Sequence, residues 1–230
     1  MNALLWKDYR VNRLVLLTGL VLLLAPLVAF CTLNAVSQWR YGQPIFPWPA
    51  ALSFASVLSL LLSCITLTLL GGAAFACERC DRSAEFLAGL PATRPQIIAS
   101  KVVIAVGTGL VIWAVDLLVF FVIVPYSGEM GPETVENFAN FRTKMLPMLA
   151  AMSFSMFGAA WFGSSFLPSH NIAAGLAFGF PVLVFGILRA VEFVLEQREF
   201  AVDWLPTVLA VLGLAGFLGG ILIYARRVEP

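Results

Sequence analysis

The stretch LVLLTGLVLLLAPLVAFCTLNAV, residues 14–36, contains no charged side chain. A helix needs about 20 predominantly apolar residues to cross the hydrocarbon core of a bilayer, so this stretch predicts a transmembrane helix. Five further segments are long and predominantly apolar, and each is predicted to be helical because a backbone in lipid must satisfy its own hydrogen bonds. They are residues 50–76, 101–125, 145–167, 172–188 and 204–225.

The composition supports an integral membrane protein. Of 230 residues, 60% are hydrophobic and 12% are charged, whereas a soluble domain has roughly 45–50% apolar and about 25% charged residues. This balance excludes a soluble enzyme, a nucleic-acid-binding module and a disordered chain. Six spans with short loops use nearly the whole chain, so we expect one all-α transmembrane domain, residues 1–230, in contact with the lipid bilayer and with no nucleic-acid partner.

The basic residues predict the orientation, because cytoplasmic loops are enriched in Lys and Arg. With a cytoplasmic N-terminus, that side carries Lys7, Arg10, Arg13, Arg79, Arg82, Arg94, Lys101, Arg226 and Arg227, and the other side carries Arg40, Arg142, Lys144, Arg189 and Arg198. This asymmetry favours a multi-pass protein of the cell membrane with both termini cytoplasmic.

Three segments lie outside the predicted spans. Residues 1–13 are amphipathic, with Leu4 and Trp6 able to face lipid and Lys7 and Asp8 able to face water, and they predict an interfacial helix on the cytoplasmic leaflet. Residues 78–100 predict a short amphipathic cytoplasmic helix that ends at a proline, followed by a new helix start at Thr93 and Pro95. Residues 189–203 predict a short helical excursion at the outer interface.

The sequence offers little enzymatic chemistry. A phosphate-binding glycine loop is absent, so the chain does not bind and hydrolyse nucleotide by itself. The pair Cys77 and Cys80 supplies two of the four ligands that a structural zinc site needs, and the single histidine, His170, falls in a predicted turn. We therefore expect no catalytic residue, metal or cofactor in this chain.

Asp116 is the one acid deep inside a predicted span. An ionisable group at that depth is costly, which makes it a functional candidate. A packing role, with the acid protonated or hydrogen-bonded between helices, is the alternative interpretation. The sequence leaves both open.

The first cytoplasmic segment resembles the membrane subunits of ABC-2 type ATP-binding-cassette exporters. The family pattern is an acidic-basic start, a Glu-Leu-Leu-like core, a Leu-Pro-x-x-Arg turn and a Lys at the start of the third span. The matching residues are Glu78, Arg79, Glu85, Phe86, Leu87, Leu90, Pro91, Arg94, Ile97, Ile98 and Lys101. Ser83-Ala84 replaces the usual Gly-Thr pair, and the start Leu-Leu-Trp-Lys-Asp is similar to the family's connecting helix.

The resemblance implies a permease subunit that pairs with a second permease copy or homologue and docks separate ATPase subunits. ATP and Mg²⁺ would bind to those ATPases, and the coupling helix around residues 85–91 would transmit their closure to the spans as alternating access. Two other functions stay open: an autonomous secondary transporter that uses Asp116, and a membrane assembly protein without transport. The sequence does not name the substrate.

Overall fold

The computed structural model describes residues 2–80, 93–124, 136, 140–195 and 200–226. Six long α-helices account for most of these residues. They are α1 (Asn2–Tyr41), α2 (Trp48–Cys80), α3 (Arg94–Leu118), α4 (Leu146–Ser164), α5 (His170–Leu195) and α6 (Phe200–Arg226). A π-helical segment, Val119–Ile123, continues α3, and a second one, Phe141–Met145, precedes α4.

The prediction of an all-helical chain with six spans is confirmed for the described residues. Six of their helices are long and apolar enough to cross a membrane. Helices α1, α2, α5 and α6 extend beyond the apolar runs from which they were predicted, and α3 begins earlier, at Arg94, whereas α4 lies within its run. Helical backbone hydrogen bonding can continue into polar flanks until a turn residue ends it. At the end of α1, for example, Gly42 adopts a φ of 75°, a left-handed conformation that glycine adopts readily.

The N-terminal residues do not form a separate interfacial helix. Helix α1 is continuous over 40 residues, which gives it a length of about 60 Å. Between residues 2 and 18 the sequence has no glycine or proline to stop the helix. The predicted facing is wrong for Leu4 and Asp8, because both are buried, whereas the exposed side chain of Trp6 is compatible with the predicted contact with lipid.

The described residues of the segment 189–203 belong to the end of α5 and the start of α6. Residues 196–199 lie outside the described residues, so the predicted excursion at the outer interface stays a prediction. Glu192 of α5 links the two helices, because its Oε2 accepts a 2.9 Å hydrogen bond from the backbone N–H of Ala201 in α6. Its Oε1 lies 2.6 Å from Nη1 of Arg189 on its own helix. Glu192 thus satisfies one of the free N–H groups at the start of α6.

The chain divides into two compact units. Unit 1 comprises Met1–Val15, Leu67–Gly107 and Ala150–Pro230, and unit 2 comprises Leu16–Thr66 and Thr108–Leu149. Helices α1, α2 and α3 each contribute one part to unit 1 and another part to unit 2.

Unit 1 has an aromatic core and closely packed helices. Trp161 of α4 is fully buried, with the rings of Phe75, Phe157 and Phe217 around it at centroid distances of 4.9, 5.5 and 5.2 Å. Helices α4 and α6 approach through Gly158 and Gly213, where a Cβ on Gly158 would collide with the carbonyl of Gly213. Small residues at such crossings allow the close backbone approach that membrane helices use.

Unit 2 contains an apolar cluster and a loop that is fixed by side-chain hydrogen bonds. Buried Leu60, Phe120 and Leu149 pack together. At the end of α1, Asn34 fixes the loop that leads to α2, because its side-chain amide exchanges hydrogen bonds of 2.9 and 3.2 Å with the backbone of Phe46.

Candidate functional site

The main concentration of buried charge in unit 1 lies where four helix ends meet. We call it the ion-pair cluster and define it by six residues near the start of α1, the end of α2, the start of α3 and the end of α6. They are Lys7, Asp8, Glu78, Ser100, Lys101 and Tyr224.

Lys101 is the centre of this cluster. Its Nζ lies 2.9 Å from Glu78 Oε1 and 3.4 Å from Asp8 Oδ1, so one cation bridges two carboxylates on two helices. Lys7 Nζ lies 3.0 Å from the same Glu78 Oε1. Two lysines therefore balance two carboxylates, and the formal charge of the cluster is zero.

Hydroxyl groups complete the coordination of both carboxylates. Ser100 Oγ donates to Asp8 Oδ2 at 2.5 Å, and the Tyr224 hydroxyl donates to Glu78 Oε2 at 3.2 Å. Every carboxylate oxygen in the cluster thus has a partner. This matters because a buried ion offsets its loss of hydration only when its remaining hydrogen-bonding positions are also satisfied.

The cluster is shielded from solvent. Asp8, Glu78 and Lys101 are exposed by only 5, 5 and 7%. The ring of Phe75 stacks on Tyr224 with centroids 4.3 Å apart, and Lys101 Nζ lies 5.9 Å from the centroid of Phe75. An ammonium over an aromatic face is attracted by the ring quadrupole, so Phe75 supports both the tyrosine and the lysine.

Two recesses border the cluster within unit 1. One is lined in part by Cys77 and Glu78, and the other by Leu70 and Trp161; both are lined by Asp8, Asn12 and Lys101. Each has room for about one water molecule, far less than the roughly 300–1,000 Å³ of a small-molecule site. The geometry therefore suits a mechanical connection between helices rather than a ligand pocket.

The predicted coupling residues fall into three groups. Glu78 is part of the ion-pair cluster, and Arg94 Nη1 donates to the carbonyl of Ala225 at 3.2 Å, which links α3 to α6. Arg79 belongs to the last turn of α2. The remaining residues, Glu85, Phe86, Leu87, Leu90 and Pro91, lie outside the described residues, as does the predicted coupling helix.

The predicted helix restart at Thr93 is confirmed. The backbone N–H of Gln96 donates to the Thr93 carbonyl at 2.9 Å, and the side-chain oxygen of Gln96 accepts from the Thr93 N–H at 3.1 Å. Such a return bond from the third helical residue is one half of a capping box, which fixes where α3 begins.

Sequence analysis missed four members of the cluster: Lys7, Asp8, Ser100 and Tyr224. The sequence did contain one indication that Asp8 is buried. Leu4 and Asp8 are four residues apart, so Asp8 shares a helix face with an apolar residue. Leu4 packs with Ile97 and Tyr224, beside the ion pairs. The identity of the partners was not readable, because Asp8 and Lys101 are 93 positions apart in sequence.

A second polar region lies in unit 2. Asp116 is fully buried, and Ser56 Oγ lies 3.3 Å from its backbone carbonyl and 3.5 Å from its Oδ1. Ser56 belongs to a row of buried hydroxyl residues that we call the polar face of α2: Ser56, Ser59, Ser63 and Thr66. Sequence analysis singled out Asp116 but not this row.

Neither known proteins nor metal-binding side chains among the described residues indicate a function for the chain. Comparison of the chain with protein-family models, curated proteins and solved structures finds no match. Across the described ranges, no group of three or more His, Cys, Asp or Glu side chains is placed to hold a metal ion.

Proposed function

We propose that the chain is the membrane-spanning permease subunit of an ATP-driven exporter, which moves its substrate by alternating access. A second permease copy or homologue and separate ATPase subunits complete the assembly, and the ATPases bind ATP and Mg²⁺. The observation that supports this proposal best is the ion-pair cluster. It holds both ends of the segment that resembles a coupling region.

The position of the cluster fits the transmission of force. Glu78 precedes residues 81–92, and Ser100 and Lys101 follow them. A push on that segment would reach α2 through Glu78 and α3 through Lys101. It would reach α1 through Asp8, which pairs with Lys101. It would reach α6 through Tyr224, whose hydroxyl bonds to Glu78. Separating a buried ion pair is strongly unfavourable, so these helix ends would move together.

The same helix ends also support a cytoplasmic location for both termini. The first turns of α1, the start of α3 and the last turn of α6 contact one another through Leu4, Ile97 and Tyr224. Basic residues concentrate near these ends, in accord with the usual excess of Lys and Arg on the cytoplasmic side. They include Lys7, Arg10, Arg13, Arg94, Lys101 and Arg226.

Docking would rest on the apolar residues of the coupling segment. Phe86, Leu87 and Leu90 would fill a groove on the ATPase, as amphipathic helices do in many complexes. Glu85 and Arg94 would contribute charges at the rim, which set register more than affinity. The test is affinity purification of the tagged full chain from native membranes, with quantification of the ATPase of the ATP-binding-cassette type that copurifies.

Variants make this test specific. Phe86→Ala and Leu87→Ala remove expected anchors, whose truncation often costs about 2 kcal/mol or more, and should reduce copurification by tenfold or more. Phe54→Ala is a matched control, because Phe54 is 62% exposed on a predicted span and should leave ATPase recovery unchanged. Lower thermal stability of Phe86→Ala and Leu87→Ala with unchanged ATPase recovery would contradict the proposal, as would the absence of any such ATPase from the wild-type preparation.

One alternative function has an observation of its own. A secondary transporter driven by an ion gradient would need an intramembrane acid, and Asp116 is fully buried in unit 2. Once a substrate is known, uptake into ATP-free proteoliposomes by this chain alone would favour that function. Uptake only with the ATPase and ATP would favour the exporter.

A further inference from the structure

The polar face of α2 is a continuous row of hydroxyl groups. Ser56, Ser59, Ser63 and Thr66 follow one another at spacings of three, four and three residues, which places them on one helix face. None is exposed by more than 1%. At 1.5 Å per residue the row covers about 15 Å, about half the thickness of a hydrocarbon core.

Two hydroxyls of this row have no hydrogen-bond partner among the described residues. They are Ser63 Oγ and Thr66 Oγ1, and the Oδ2 of Asp116 is unpartnered in the same sense. Other buried serines of this chain bond to their own helix: Ser155 donates to the Met152 carbonyl at 2.9 Å, and Ser164 donates to the Trp161 carbonyl at 2.8 Å. Ser63 Oγ and Thr66 Oγ1 therefore remain available for hydrogen bonds to a partner from outside the helix, whereas Ser59 Oγ already donates to the Leu23 carbonyl at 2.7 Å.

Asp116 has no ion pair in the part of unit 2 that the structure describes. Its side chain contacts Ser56, whose hydroxyl points to the Asp116 backbone carbonyl and Oδ1. The charged side chains described in unit 2, Arg40, Glu136 and Lys144, are all exposed. An unpaired carboxylate is costly in such surroundings, whereas a neutral carboxyl group needs only hydrogen bonds. Because Oδ1 faces Ser56, Oδ2 is the oxygen free to carry a proton.

The helix that carries Asp116 is also distorted nearby. Three residues after Asp116 it widens into the π-helical segment Val119–Ile123, with the N–H of Val124 bonded to the Val119 carbonyl. Short π-helical segments are rare and are frequent at functional sites. A buried acid with one unpartnered oxygen, two buried hydroxyls without partners and a local helix distortion thus occur together in the described part of unit 2.

We propose that Asp116 is an intramembrane proton-binding site that exchanges its proton along the polar face of α2. In uptake, a hydronium ion gives its proton to the carboxylate Oδ2 and leaves a water molecule; release is the reverse, and only O–H bonds form and break. Ser63 and Thr66 hold the water that carries the proton, because each hydroxyl can donate and accept. This proposal goes beyond the permease function and does not depend on an ATPase.

Infrared spectroscopy of the full chain in lipid nanodiscs tests the site. A carboxylic-acid carbonyl band should be present at neutral pH and should move when the aspartates alone carry carbon-13. The chain has four aspartates, at positions 8, 81, 116 and 203, so the band is assigned by its loss in Asp116→Asn. Asp116→Glu provides a second assignment if the asparagine variant does not fold, since the glutamate would lack the label.

Transfer to heavy water then separates a functional site from a structural one. The band should shift within the first minutes as the proton exchanges for deuterium. Ser63→Ala combined with Thr66→Val should slow that shift at least tenfold while the band itself remains. Ser155→Ala is the matched control, since that buried hydroxyl already bonds to its own helix and should leave the exchange rate unchanged.

Three results would overturn the proposal. One is the absence of a carboxylic-acid band that depends on Asp116. Another is a band that does not exchange over hours, or whose exchange is unaffected by the Ser63 and Thr66 substitutions, because a buried packing acid would behave in that way. The third is loss of the band on addition of sodium at constant pH, which would identify a metal-cation site.

Discussion

The two polar regions of this protein differ in how their charges are satisfied. In the ion-pair cluster of unit 1, each carboxylate oxygen has a cation or a hydroxyl as its partner. In the described part of unit 2, the buried acid Asp116 has a serine beside one oxygen, and the other oxygen has no hydrogen-bond partner among the described residues. A fully bonded network resists rearrangement, whereas an acid with an unpartnered oxygen can respond to a proton.

This difference implies different roles for the two regions. The cluster connects four helix ends and should be important for stability and, under the proposed function, for the transmission of motion. Asp116 and the polar face of α2 should affect stability less and proton exchange more. Substitutions that leave a charge or an oxygen without its partner therefore separate the two regions.

The largest effect is expected for Lys101→Met, which keeps the length of the side chain but leaves Asp8 and Glu78 without their shared cation. Removing one partner of a buried ion pair destabilises by about 3–5 kcal/mol. Thermal unfolding in nanodiscs should show a large decrease in midpoint relative to wild type. Lys144→Met is the matched control, because Lys144 is exposed and should change the midpoint little. Equal midpoints for the two variants would contradict the view that the cluster connects the helix ends.

The two units also differ in which atoms lie against their closely packed glycines. A Cβ on Gly158 in unit 1 would meet the backbone of Gly213, while a Cβ on Gly19 in unit 2 would meet the side chain of Thr66. Backbone atoms cannot move aside as a side chain can, so Gly158→Ala should destabilise by about 1–3 kcal/mol, and Gly19→Ala should destabilise less. Gly107→Ala is the control, because nothing lies within 4 Å of its added Cβ. A loss in Gly19→Ala that matched or exceeded that in Gly158→Ala would show that this reasoning about the two contacts is wrong.

The six spans could be predicted from sequence because the bilayer imposes one requirement on every segment. An apolar run of sufficient length must form a helix in lipid, whatever it packs against. The same reasoning identified Asp116 as an acid inside a span, and the structure finds it fully buried. Neither result needed knowledge of the partner residues.

The ion-pair cluster could not be predicted in this way. Whether Asp8 faces water or the protein interior depends on Lys101 and Ser100, which belong to another helix. The amphipathic pattern of residues 2–13 is compatible with a membrane surface or with a buried charged contact, and only the tertiary partners decide between them. The close contact of Gly158 with Gly213 is unreadable for the same reason, since nothing local to either glycine indicates the other.

The smallest effect is expected for Tyr224→Phe, which tests the hydroxyl bonds of the cluster apart from its ion pairs. The substitution removes the 3.2 Å hydrogen bond to Glu78 Oε2 and keeps the ring that stacks on Phe75. Glu78 retains Lys7 and Lys101, so the expected loss is about 0.5–1.5 kcal/mol, typical of one hydrogen bond. Tyr224→Leu, which also removes the stacked ring, should lose more. Combining Tyr224→Phe with Lys101→Met tests whether the hydroxyl and the lysine act on the same carboxylate, because residues in one network are not additive. Strictly additive midpoint shifts would mean that the hydroxyl is independent of the ion pairs, and the cluster would then not act as one network.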